Sequence, residues 1–111
     1  MAENTPKAVI IYAEANGREP FTRWLQSLRD RRIQKRIEVR LLRLEQGQYG
    51  DCAPVGEGVL ELRLFFGAGY RVYFGEDGDR IVVLLCGGDK STQRNDIKRA
   101  KQYWKDYQEN A

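Results

Sequence analysis

Three cations and one carboxylate gather around the part of the chain where apolar and polar residues alternate. Arg63 and Glu61 stand in residues 59–66 (VLELRLFF), and Arg71 stands in residues 70–74 (YRVYF). Lys90 follows the next apolar run, in Gly87-Gly88-Asp89-Lys90. A period of two places Leu60, Leu62, Leu64 and Phe66 on one face of a strand and Glu61, Arg63 and Phe65 on the other. A core gives no reason for two arginines on neighbouring strands of one face, because like charges repel and are costly to desolvate. An anion lying between them supplies one, since guanidinium forks bind phosphate in bidentate fashion, and Lys90 can close over the same spot. The other reading pairs the arginines with Glu61 and surface carboxylates on a solvated face. Spacing alone leaves both open.

A second cationic feature is the series Arg29, Arg32, Arg36, Arg40 and Arg43, which recurs at helical spacing beside an apolar face. Outside residues 18–43, only Lys7, Arg63, Arg71 and Arg80 precede Lys90, so the net charge of +3 is concentrated locally. Such a stripe can track a nucleic-acid backbone, dock an acidic protein segment, or simply keep a face solvated; Asp30, Glu38 and Glu45 are too few to neutralise it.

Other chemistries are excluded. The chain contains no histidine, which removes His-based acid–base and nucleophilic systems and every zinc site that needs imidazole. Cys52 and Cys86 are too few and too far apart for a metal knuckle or a redox CxxC, and are expected to be reduced thiols. LLCGGDKST has the flavour of a phosphate loop, but GxxxxGK[ST] is absent and no parallel βαβ unit follows. Its glycines are expected to give the backbone freedom between a buried strand and a helix. No cofactor and no metal are expected. Among the aromatics, Trp24, Trp104 and Tyr107 read as core, while Tyr73 and Tyr103 are open between stacking on a base and packing. No apolar run approaches the length of a membrane span and no leader pattern opens the chain, so a cytoplasmic protein without a membrane partner is expected.

The elements that must position these residues follow from periodicity. Residues 7–13 (KAVIIYA) read as a strand buried on both faces. Pro20 opens a helix whose Phe21, Trp24, Leu25 and Leu28 form a stripe. A second helix over about 30–46 carries Ile33, Ile37, Leu41 and Leu44, and Gly47 and Gly50 close it. A three-residue loop centred on Ala68 sets Phe66 opposite Tyr70, Phe65 opposite Arg71 and Arg63 opposite Tyr73, leaving the two arginines diagonal on one face, about 7–8 Å apart. Residues 80–86 (RIVVLLC) are apolar on both sides and belong at the centre of a sheet. Ser91 or Thr92 caps a last helix running to about residue 107. The order is β-α-α-β-β-β-α: one α+β domain spanning residues 1–111, an antiparallel meander packed under helices with the first strand added to the sheet.

The segments GVLELRLFFGAGYRVYF (58–74) and GGDKSTQRNDIKRAKQY (87–103), with the strand between them, resemble the RelE/ParE toxin superfamily and its HigB-like, phage-related branch of addiction-module killer proteins. The resemblance spans nearly the whole chain. It implies a RelE-like fold and a toxin of a type II toxin–antitoxin pair, bound by a helix-turn-helix antitoxin in a hetero-oligomer. Many members cut mRNA on the ribosome; the ParE branch poisons DNA gyrase, and a non-catalytic, antitoxin-bound corepressor is a third reading. The cationic positions of the nucleases correspond to Arg63, Arg71 and Lys90. Glu61 stands where some members have another basic residue, and Asp96-Ile97 where some have a tyrosine; the histidines of HigB nucleases are missing. For metal-independent cleavage by the 2′-oxygen, Arg63 and Arg71 are assigned to the phosphate and Lys90 to the phosphate or leaving group; Glu61, the only carboxylate on the same strand face, is the candidate base, with Tyr73 an alternative donor.

Overall fold

The computed structural model describes residues 5–110. Five strands form one sheet: β1 (Ala8–Ile11), β2 (Cys52–Gly56), β3 (Val59–Arg63), β4 (Arg71–Asp77) and β5 (Ile81–Gly88), in the spatial order β1-β5-β4-β3-β2. β1 runs parallel to β5, and every other pairing is antiparallel. The helices are α1 (Pro20–Ser27), α2 (Arg31–Glu45) and α3 (Gln93–Asn110).

Two apolar clusters place the helices on opposite faces of the sheet. Phe21, Ile37 and Leu44 of α1 and α2 pack with Leu62, Leu64, Val72, Phe74, Val82 and Leu84. Ala100 and Trp104 of α3 pack with Val59, Tyr73, Val83, Leu85 and Cys86 on the other side. This explains why residues 81–86 are apolar throughout: β5 lies inside the sheet and is covered on both faces. The first two helices form the expected hairpin. Pro20 begins α1. Asp30 caps α2, its side chain accepting from the Arg32 backbone N–H, and Gly47 follows the helix at a φ of 82°.

Three expectations are corrected. β1 is an edge strand with Ile10 and Ile11 about two-fifths exposed, so it is not buried on both faces; with β5 on one side only, its apolar content exceeds what the helices cover. β2 is an additional strand, which makes the order β-α-α-β-β-β-β-α. Its CAPVG sequence holds Pro54 and lacks an alternating pattern, which a bulged edge strand tolerates. Glu57 and Gly58, both at positive φ, turn it into β3. Finally, β3 ends at Arg63 and the chain bends over residues 64–70, closed by the Leu64 N–H donating to the Tyr70 carbonyl at 3.0 Å. The register is therefore two residues from the expected one: Arg63 faces Arg71 directly and Glu61 faces Tyr73. A shift of two preserves the face of every side chain, whereas a shift of one inverts it.

Indole rings rest on glycines at both faces. A methyl on Gly75 would lie 2.5 Å from Trp104, and one on Gly87 would lie 2.2 Å from Trp24. Trp104 is 4% exposed and stacks on Tyr107. Trp104→Ala should cost about 3–5 kcal/mol in urea unfolding, and Gly75→Ala should destabilise through the same contact.

Candidate functional site

On the face of the sheet shared with α3, two rungs run across three strands. Arg63, Arg71 and Gly88 form one; Glu61, Tyr73 and Cys86 form the next. Cross-strand neighbours of like charge are unfavourable, and here the Glu61 carboxylate lies with both guanidinium groups. Arg63 Nε donates to Glu61 Oε1 at 3.1 Å, and Arg71 Nε lies 3.8 Å from Oε2. Tyr73 donates its hydroxyl to Oε2 at 3.0 Å, and Gln93 Nε2, at the start of α3, donates to the same oxygen at 2.7 Å. Glu61 is 1% exposed. Burial pushes its pKa up, but the bonds from Gln93, Arg63 and Tyr73 and the charge of Arg71 outweigh that and hold the carboxyl below its ordinary value of 4.5.

The two arginines thus converge and remain accessible to different degrees. The Arg63 side chain is 38% exposed and that of Arg71 12%. Arg71 Nε is the one buried side-chain polar atom among the described residues without a hydrogen-bond partner. Lys90 is exposed and held against the bend, with its backbone N–H donating to the Ala68 carbonyl and its Cβ 3.4 Å from where a methyl on Gly69 would stand. Tyr73 is fully buried beneath the arginines; burial and Glu61 raise its hydroxyl pKa. The arrangement is two guanidinium groups above one buried carboxylate, with a lysine at the rim, donors of the type that an anion can accept from.

The glycine pair does something other than loosen a loop. Gly87 and Gly88 belong to β5. Gly87 admits Trp24, and a methyl on Gly88 would fall 1.8 Å from the Asp96 carboxylate. The second glycine lets the first turn of α3 settle on the strand, which brings Gln93 to Glu61. Asp96 is 8% exposed and accepts from the Thr92 hydroxyl; burial raises its pKa against that bond. Gln93 escapes the sequence reading, although it stands inside GGDKSTQ where the last strand gives way to a helix. Tyr103 packs in a stacked pair with Tyr12, at 5.2 Å between ring centroids.

Both cysteines are free thiols. Burial, with Asp96 nearby, pushes Cys86 up to about 12, and burial also raises Cys52, so neither is an activated nucleophile. Among the described residues, no three His, Cys, Asp or Glu side chains gather to hold a metal ion, and no helix is long and apolar enough to cross a membrane.

The second cationic feature lies on the opposite face. Arg32, Arg36, Arg40 and Arg43 belong to α2, whereas Arg29 precedes it in the connection from α1. Together with Lys35, the four α2 arginines line a cavity of about 520 Å³ whose remaining wall is Val39, Leu64, Phe65 and Phe66. Arg36 stacks on the Phe66 ring at 3.9 Å, and Arg40 Nη1 donates to the Tyr49 carbonyl at 2.8 Å.

A five-stranded sheet with helices on both faces, ending in a helix that abuts a cationic rung, is a RelE-like α+β fold. Residues 23–105 match the family described as phage derived protein Gp49-like (DUF891), and the chain belongs to that family. It is a toxin-like family of the RelE/HigB type, and membership points to pairing with an antitoxin. A relative described as an uncharacterized protein, from Haemophilus influenzae (strain ATCC 51907 / DSM 11121 / KW20 / Rd), is 48% identical over 81 residues, covering 73% of this chain and 82% of the relative.

Glu61→Gln should lower stability at neutral pH by about 3 kcal/mol, because it leaves two facing cations without their counter-charge. The folded carboxyl titrates below its unfolded value, so its contribution is full above about pH 4.5 and is lost as pH falls through the folded pKa. The gap between wild type and Glu61→Gln in urea midpoints should therefore close on acidification.

Proposed function

We propose that this chain is the toxin of a type II toxin–antitoxin pair and inhibits translation by cutting mRNA on the ribosome without a metal. The observation that supports this reading is the rung of Arg63 and Arg71, oriented from beneath by one buried carboxylate and flanked by Lys90. In this reaction the 2′-oxygen bonds to phosphorus and the bond to the 5′-oxygen breaks, leaving a 2′,3′-cyclic phosphate and a 5′-hydroxyl. Net, one proton passes from the 2′- to the 5′-oxygen. Negative charge grows on the phosphoryl oxygens in the transition state, where preorganised cations are worth most.

Arg71 and Arg63 are assigned to the phosphoryl oxygens and Lys90 to the proton taken by the 5′-oxygen. Arg71 is the more buried of the two side chains, with its Nε turned toward Glu61 at 3.8 Å. Glu61 is assigned positioning in place of the expected role of base, because three donors occupy its oxygens and lower its proton affinity. Tyr73, buried below, steadies Glu61 in place of donating to RNA. The 2′ proton then leaves to water, and ribosomal RNA supplies the remaining geometry.

Arg71→Ala should abolish growth arrest and slow cleavage by about 10²–10³-fold, read by primer extension on mRNA in a translating extract. Transcripts should be cut with ribosomes present and not in their absence. Intact mRNA together with trapped, cleaved DNA would establish a gyrase poison instead. Absence of arrest when the wild-type chain is expressed alone would favour a non-catalytic corepressor.

A further inference from the structure

The α2 groove differs in kind from the cationic rung. Among the described residues no carboxylate comes within 4 Å of Lys35, Arg36, Arg40 or Arg43; Arg32 alone is paired, with Asp30. Two of the cations are immobilised, Arg36 by its ring and Arg40 by a carbonyl. Burial and the neighbouring Arg43 lower the Arg40 pKa, against a smaller opposing pull from Asp51. The floor is apolar and open: Phe65 is 78% exposed and Val39 43%. A phosphate backbone uses cations but has no need of an exposed aliphatic side chain and a phenyl ring beside them. An amphipathic chain uses both.

We infer that this groove docks a protein segment, an acidic amphipathic helix whose apolar face covers Val39, Phe65 and Phe66 and whose carboxylates meet Lys35, Arg36, Arg40 and Arg43. Arg32, Arg36, Arg40 and Arg43 are spaced by four, four and three residues along α2, a row about 16 Å long at 1.5 Å per residue. Three turns of a partner helix span that length and repeat at the same spacing, so acidic residues at i, i+4 and i+7 meet successive cations. Opposite charge brings the partner in and fixes its direction, and the apolar contact sets how long it stays. The inference is independent of RNA cleavage, because it concerns the other face of the sheet and is read by binding.

The test uses the full chain and three fluorescent probes in physiological salt. One is a 15-residue synthetic helix with leucine at i, i+4, i+7 and i+11 and glutamate beside them. The others are a scrambled peptide of the same composition and a 12-nucleotide single-stranded RNA. The amphipathic peptide should bind at least about tenfold tighter than the scrambled one, and Phe65→Ala or Lys35→Glu with Arg43→Glu should each remove about tenfold or more. These side chains are exposed, so folding is not at stake, and Arg71→Ala should leave the peptide affinity unchanged. Equal binding of the two peptides, no measurable binding of either, or tighter binding of RNA that is indifferent to Phe65→Ala but lost in Lys35→Glu with Arg43→Glu would overturn the inference.

Discussion

A carboxylate sealed beneath two guanidinium groups sets the terms for the rest of this molecule. Arginines facing each other across an antiparallel pair repel, and the sheet would not keep them there unaided. Glu61 lies with both, and its own burial is tolerated because Tyr73 and Gln93 complete its hydrogen bonds. Each of those groups comes from a different element. Gln93 reaches Glu61 because α3 starts where it does, and α3 starts there because Gly88 leaves room for Asp96. Tyr73 is fixed by strand register. Three elements, β3, β4 and α3, thus meet at one anion, and the guanidinium groups above it are oriented before any ligand arrives.

The sequence makes much of this arrangement readable, for physical reasons that can be named. Residues 81–86 are apolar at every position because β5 has helices on both sides, and such an apolar run reads as an inner strand. The helical hairpin follows from apolar spacing, Pro20 and Asp30. The common face of Glu61, Arg63, Arg71 and Tyr73 also survives, because side-chain parity is insensitive to a register shift of two. Membership of the Gp49-like family agrees with the motif in residues 58–74 and 87–103.

What is illegible depends on contacts between segments distant in sequence. The register of β3 on β4 depends on a seven-residue bend whose glycines allow more than one closure. β2 is a strand because β3 has an open edge, and its own residues argue against it. Burial of β1 cannot be read from its composition, since an apolar edge strand and an apolar central strand look alike. Gln93 is a polar residue at a helix start until the fold places Glu61 beneath it. The cavity on α2 needs Phe65 and Phe66 from a remote bend to become a groove rather than a charged stripe.

That bend, residues 64–70, borders both surfaces of the molecule. Phe65 and Phe66 wall the groove on one side of the sheet, while Ala68 and Gly69 steady Lys90 on the other, and Arg63 and Arg71 are its two anchor points. Gly67 and Gly69 sit in left-handed backbone, where rotation is cheap. Seven residues of backbone thus furnish part of the lining of both surfaces.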